Sequence, residues 1–331
     1  MKLAGPPSIR LPDLGEVESP GAVETTPMDR SFEVVVPSIG PTSQVVDVAR
    51  AALGTSVIRL MRHDAGVRSG IDHEDVHQAR VATRRLRSDL RSFREVFEPG
   101  WADDLRVELG WLGAQLGAVR DADVLMDRLR ASARELPARD AVVAERILNR
   151  LADRRDEART FLLAAMRSAR YDDLLDRLVA ASAEPLVRSE GAAGSTGSDS
   201  TSVLAGVMRQ PWARLRAAVE ALGPDASDAE LHEARIRAKR LRYAAEAVAP
   251  VFGKRARGFA RAATEFQRVL GDHQDSVVAS AWLREVAASG TQMAFVAGEL
   301  AAAEGAAAAV ARAAWPAAWK ALARKRSRFW T

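Results

Sequence analysis

The stretch from Asp75 to Phe93, DVHQARVATRRLRSDLRSF, occurs a second time from Glu230 to Val248, as ELHEARIRAKRLRYAAEAV. His77 aligns with His232, Arg80 with Arg235, Arg84 with Lys239, Arg85 with Arg240, Leu86 with Leu241 and Arg87 with Arg242. The offset does not change along the stretch, since 232 minus 77 and 242 minus 87 both give 155. A basic helix written twice in one register restricts the fold more than any other feature of the chain, because both copies must find an apolar neighbour and a place for their charge.

An α-helix turns about 100° per residue. With His77 at zero, Arg80, Arg84, Arg87 and Arg91 fall at roughly 300°, 340°, 280° and 320° and share one stripe. Ala79, Leu86, Leu90, Phe93 and Phe97 fall at roughly 160–220° and make a separate apolar stripe. The second copy repeats the division, with His232, Arg235, Lys239 and Arg242 on one side and Ala234, Leu241, Ala245, Val248 and Phe252 on the other. Each helix is expected to be core on one face and cationic along another.

Like charges three or four residues apart on a helix repel by a few tenths of a kcal/mol per pair. Elsewhere the chain mixes signs, as in ERILNRLADRRDEAR from Glu145 to Arg159, an ordinary solvated face. No acidic residue stands between Val76 and Ser88, or between Ala234 and Ala245. Abundant arginine is the bland explanation, since only five of the 48 basic residues are lysine. Composition does not duplicate a register, however. The better reading is a polyanion site in which arginine forks grip phosphate oxygens.

The chain has 331 residues, enough for two domains or one double-size bundle. It has no cysteine, which excludes disulfides and thiolate metal sites and fits a reducing cytoplasm. The formal charge is only +4, so the basicity matters through its local arrangement. No uninterrupted apolar run approaches the roughly 20 residues of a membrane span, and no membrane partner is expected. The first residues lack the apolar segment of a signal peptide.

Residues 1–41 are rich in proline and glycine and read as largely disordered, apart from SFEVVVPSI, a short strand candidate without a partner. A helix is expected from a Thr42–Ser43 cap to about His63, and the first basic helix from an Asp72 cap to Pro99–Gly100. Further helices are expected at 101–130, 139–170 and 171–183. Residues 189–202 are rich in glycine and serine and read as a flexible linker. Helices then follow at 203–222, 228–252, 254–288 and 292–312, and a last segment carries Trp315 and Trp319 against the core. The fold class is all-α: two four-helix-type bundles from an internal duplication, spanning 42–188 and 203–331, related by a pseudo-two-fold axis around a basic central groove or pore.

A second element also recurs. LGAVRD at 116–121 matches LGDHQD at 270–275, each in the helix after a basic helix. The glycine is expected to let helices approach, and Asp121 and Asp275 to pair with a basic side chain off the main stripe, Arg85 and Arg240. Both acids are read as structural, since no second acid recurs beside either one.

These residues resemble the CHAD family, the conserved histidine α-helical domain. The resemblance rests on HxxRVxxRRLR from His77 to Arg87, on LHxxRIxxKRLRY from Leu231 to Tyr243 and on the paired LGxx(R/Q)D elements, and covers roughly residues 43–330. It implies the two pseudo-symmetric bundles, inorganic polyphosphate as partner, and polyphosphate granules in the cytoplasm as location. CHAD often follows a CYTH triphosphatase domain, but the ExExK signature of that domain is absent here, so no enzyme activity is carried over.

The expected mechanism is electrostatic capture. Polyphosphate lies along the two helices, held by His77, Arg80, Arg84, Arg85, Arg87, Arg91, His232, Arg235, Lys239, Arg240 and Arg242. Nearby phosphate favours the imidazolium form of both histidines. The alternative for each histidine is a neutral ring at a packing seam. His63, His73 and His273 have no counterpart in the repeat and are read as surface residues. Zinc is disfavoured because the motif histidines bring no carboxylate at ligand spacing, and no cofactor is expected. A nucleic-acid binder is the runner-up, but Ala, Val, Leu and Thr rather than aromatics stand between the cations, and Tyr243 alone reads as core. An enzyme would need metal-binding acids or a GxxxxGK[ST] loop, which does not occur. A scaffold for an acidic protein is the remaining alternative.

Overall fold

The computed structural model describes residues 33–188, 198–223, 225–288, 291–324 and 328–330. Eight α-helices account for most of them: α1 (Val45–Ser69), α2 (His73–Ser92), α3 (Pro99–Ala133), α4 (Ala138–Met166), α5 (Ala169–Ala183), α6 (Ser198–Glu220), α7 (Asp228–Ala288) and α8 (Thr291–Leu322). Among the described residues there is no sheet, only an isolated antiparallel bridge between Phe97 and Val187. The all-α expectation holds.

The helix ends follow local chemistry. Asp72 caps α2 by accepting from the Glu74 N–H at 2.8 Å, as its position before the first turn requires. That helix stops at Ser92 rather than at Pro99–Gly100. Pro99 instead opens α3 at its first turn, where a missing N–H leaves no bond unmade. Ser168, between α4 and α5, accepts from the Tyr171 N–H and ends the single long helix expected to reach Arg170.

The second basic helix and its successor are one element, α7, kinked at Gly253, whose φ of 65° and ψ of −139° are open to glycine but strained for other residues. The last helix runs through Pro316 to Leu322, past the expected end at Arg312. Packing sustains it there. Trp319 stacks on Trp212 with ring centroids 5.6 Å apart, and Trp330 meets Phe259 edge-on at 4.7 Å. Trp315 and Trp319 lie against the core, as expected.

Of the proline-rich start, residues 33–41 are described and form no strand. Val34 and Val36 pack over Gly54 of α1. Residues 1–32 and 189–197 lie outside the described set. The end of the expected linker is helical, since α6 begins at Ser198.

One continuous core runs through α1, α2, α3 and α5 into α6, α7 and the C-terminal residues, from Val45 to Trp330. It takes in the apolar stripes of both basic helices: Ala79, Leu86, Leu90, Ala234, Leu241, Ala245 and Val248 are all buried. A fully buried aliphatic side chain contributes about 1.5–3 kcal/mol, and this seating fixes which way the opposite, cationic stripes must point. A smaller cluster, including Leu129, Ile147, Leu283 and Leu300, joins the far ends of α3, α4, α7 and α8.

The last helix also departs from the reading that no apolar run is long enough to span a membrane. By length and composition alone, Met293–Leu322 is long and apolar enough to do so. Two of its charges turn toward the protein. Glu304, 2% exposed, accepts from Arg128 of α3 at 2.5 Å, and Arg312 pairs with Asp228 of α7 at 2.6 Å.

Candidate functional site

α2 and α7 pack against each other, and their basic stripes meet along this seam. Arg85 of α2 donates to Glu246 of α7 at 2.6 Å, and Arg242 lies 3.6 Å from the same carboxylate. Between them stands Tyr243, 3% exposed. The guanidinium carbons of Arg242, Arg84 and Arg85 sit 4.5, 5.7 and 5.9 Å from its ring centroid. One aromatic ring therefore gathers three cations from two helices. Tyr243 is core, as expected, and is also part of the seam.

The flanking helices orient the outer arginines. Arg80 reaches across α3, bonding Asp121 at 3.0 Å and the Gly113 carbonyl at 3.4 Å. A Cβ on Gly117 would collide with the Arg80 guanidinium. Arg235 passes over Gly271, where a Cβ would come within 3.4 Å of its Nε, and ends 3.8 Å from Asp275. The glycine and aspartate of LGxx(R/Q)D thus serve one purpose. The glycine clears a path for an arginine from the basic helix, and the aspartate one turn later receives it. This corrects the expected pairing with Arg85 and Arg240. Those side chains lie about 140° around the helix from Arg80 and Arg235, while α3 and the second arm of α7 lie on the stripe side.

Carboxylates compensate only part of this charge. Asp121 pairs with Arg80, Asp275 with Arg235, and Glu246 with both Arg85 and Arg242. Among the described residues no carboxylate lies within ion-pair distance of Arg84, Arg87, Arg91, Arg240 or Lys239. The Nε–H groups of Arg84, Arg235 and Arg242 are buried and make no hydrogen bond within the protein. Buried donors left without acceptors cost about 1–3 kcal/mol each, so this seam is short of acceptors.

Burial and crowding shift the ionisable groups. Burial, followed by Arg235, Arg84 and Arg80, pulls the Lys239 ammonium down to about 7. Burial chiefly also lowers Arg235, with Arg84 adding to the effect. His77 falls below the ordinary imidazole value through burial first and then Arg120, Arg84 and Arg80. His232 falls through burial, Arg235 and Lys239, partly offset by Gln274. In the free protein both rings are therefore neutral at pH 7. The imidazolium form expected from the sequence requires an added anion.

The eleven residues singled out in the sequence thus separate. His77, Arg80, Arg84, Arg85, His232, Arg235, Lys239 and Arg242 share the seam. Arg87, Arg91 and Arg240 sit beyond it, beside Arg106 of α3 and Arg214 of α6. Burial, then Arg240, Arg106, Arg87 and Arg214, brings Arg91 down to about 10. Burial and Arg106 lower Arg87.

Sequence reasoning missed several groups. Asp89 is fully buried, with neither oxygen hydrogen-bonded, and burial pushes its carboxyl up to about 7 despite Arg85 nearby. Its repeat partner is Ala244, so the repeat gave no signal. Glu246 was visible only as the first acid after the basic run. His273 is not a surface residue. It is 2% exposed, with Nε2 at 3.2 Å from Asp228. His63 is half-buried, with Nδ1 at 2.7 Å from Asp75, while His73 is exposed as expected. Among the described residues, no group of His, Asp or Glu is arranged to hold a metal ion.

The arrangement defines an α-helical protein built around an under-compensated cationic seam. The CHAD domain family model matches residues 51–284, and the chain belongs to that family. Two uncharacterized proteins of Mycobacterium tuberculosis, from strains CDC 1551 / Oshkosh and ATCC 25618 / H37Rv, are each 35% identical over 240 residues. The match covers 70% of this chain but 44% of each relative, so the chain spans less than half the length of those relatives. Among solved structures, the CHAD domain from the plant Ricinus communis superposes with a TM-score of 0.70 at 25% identity, over 90% of this chain and 98% of that one. PptA from Streptomyces chartreusis superposes with a TM-score of 0.69 at 23% identity, over 84% of this chain and 100% of that one, a likeness of fold.

Proposed function

We propose that the seam between α2 and α7 binds inorganic polyphosphate as a non-catalytic module, at polyphosphate granules in the cytoplasm. The observation that carries this reading is Lys239. A half-buried lysine among Arg80, Arg84 and Arg235, with no carboxylate of its own, is an unfavourable arrangement that a multivalent anion relieves. Polyphosphate supplies closely spaced negative charges without bulky bases. His77, Arg80, Arg84, Arg85, His232, Arg235, Lys239 and Arg242 hold it at the seam, and Arg87, Arg91 and Arg240 extend its path. Asp121, Asp275 and Glu246 aim the arginines.

The same reading includes an internal duplication, with halves at 42–188 and 203–331, a linker between them and a pseudo-two-fold axis through the seam. Its support is the parallel placement of Arg80 with Gly117 and Asp121, and of Arg235 with Gly271 and Asp275.

The test is a titration of long-chain polyphosphate and of single-stranded DNA at matched charge over a salt series. Polyphosphate affinity should fall steeply with salt, by analogy with a slope of about 0.7 per contact on single strands. DNA should bind much more weakly, because the seam offers the buried Tyr243 and no exposed stacking platform. Equal affinity for both polymers overturns the polyphosphate reading in favour of general nucleic-acid binding. Binding of neither leaves an acidic protein partner.

A further inference from the structure

Beyond the seam lies a cavity of about 650 Å³ between α2, the start of α3 and α6. Among the described residues seven arginines line it, with Glu95 and Asp103 as the acids. Glu95 is held by Arg94 at 2.9 Å, Asp103 by Arg106, and Arg237 by Glu233 at 2.7 Å. Arg91, Arg188, Arg214 and Arg240 have no carboxylate within ion-pair distance among the described residues. The cavity is therefore strongly cationic.

Its far wall has a different chemistry. α6 presents Val203, Gly206, Val207, Gln210, Pro211 and Arg214 to the space, one helical stripe at three- and four-residue steps. Two valines and a proline offer an apolar patch, and Gln210 adds both a donor and an acceptor. Pro211 has no N–H, so the Val207 carbonyl one turn earlier loses its usual helical donor. Inorganic polyphosphate has no apolar surface and, at neutral pH, no donor along its length. An apolar, amide-bearing wall opposite a guanidinium cluster suits a ligand with two unlike ends.

We propose that this cavity is a second site, for a nucleoside polyphosphate, with its phosphates on Arg214 and on Arg91 and Arg240, where it meets the outer end of the polyphosphate path, and its base against Val203, Val207 and Gln210. The Gln210 amide pairs with the edge of the base, and the flat ring covers the valines while a guanidinium stacks on its other side. The volume lies within the range of small-molecule sites, about 300–1,000 Å³. This inference goes beyond the polyphosphate reading and does not depend on it.

Gly206 supplies the test. A Cβ there meets nothing within 4 Å, so the position has open space for a side chain at the cavity wall. In the full chain, ATP and inorganic tripolyphosphate, similar in charge, are titrated separately by calorimetry. ATP should bind at one per chain and about tenfold more tightly than tripolyphosphate, a difference of about 1.4 kcal/mol. Gly206→Trp should weaken ATP about tenfold or more and leave long-chain polyphosphate within about twofold. Arg214→Ala, at an exposed position, should weaken ATP with the helical circular dichroism unchanged. Tripolyphosphate binding as tightly as ATP, or Gly206→Trp binding ATP like the parent, overturns the proposal. So does loss of both ligands in Gly206→Trp with the fold intact, because cavity and seam are then one groove. Failure of the polyphosphate reading looks different: ATP behaves as above while long-chain polyphosphate does not bind.

Discussion

The proposed polyphosphate binding would be proton-linked through Lys239, and the direction follows from its surroundings. In the free protein its ammonium titrates near 7, pulled down by burial and by Arg235, Arg84 and Arg80. A bound polyanion reverses that crowding and returns the lysine toward its ordinary value of about 10.4. Below pH 7 the lysine is charged with or without ligand, and affinity there is indifferent to it. Above pH 7 binding must take up a proton, so affinity falls as pH rises. At pH 8.5 about 3% of the free protein carries the proton. A fully restored lysine would therefore lose about 30-fold in affinity between pH 6.5 and 8.5, and partial restoration about tenfold. The inner phosphates of a long chain keep their charge throughout, so the ligand contributes no opposing trend. His77 and His232 add the same sign at lower pH, because both start below the ordinary imidazole value. Calorimetry in two buffers of different ionisation enthalpy at pH 7.5 should report uptake of about three quarters of a proton from this group. Lys239→Arg should bind with an affinity flat from pH 7 to 8.5. A flat profile in the parent protein, or an unchanged slope in Lys239→Arg, refutes the reasoning.

Gly117→Val should push Arg80 off its path to Asp121 and weaken polyphosphate about fivefold, as loss of one charge-assisted contact does, with little change in the thermal midpoint. Gly271→Ala should do less, since the Cβ would sit 3.4 Å from the Arg235 Nε. Asp89 holds its proton up to about pH 7, whereas an unfolded aspartate releases it near 3.8. Stability from this group is present at low pH and is lost as pH rises from about 4 to 7. Asp89→Asn should therefore raise unfolding stability at pH 8 by on the order of 2 kcal/mol and leave pH 4 nearly unchanged, as read by denaturant titration.

The sequence was informative where a periodic pattern meets a single neighbour. The apolar stripes of the two basic helices are buried as the helical period required, and seating them turns the arginine stripes toward each other. The recurring LGxx(R/Q)D showed that a glycine and an aspartate matter together. It could not show which arginine they serve, because that depends on which side of α2 the next helix lies.

Asp89, Glu246 and His273 escaped for a related reason. Their roles come from burial by residues far along the chain, and nothing local marks a buried aspartate from an exposed one. The break at Ser92 was hidden because Pro99 fits the opening of a helix as well as the end of one. The cavity was out of reach because α6, its far wall, belongs to no repeated motif and meets α2 only in the folded chain.

The central claim is that unmatched charge at the α2–α7 seam captures a condensed phosphate chain. Its most direct test is the affinity of long-chain polyphosphate for the Arg84→Glu, Lys239→Glu double variant, with far-ultraviolet circular dichroism recorded on the same sample. The account predicts that binding disappears while the helical signal stays. Retained binding in the folded variant, or loss of the helical signal with the binding, contradicts it.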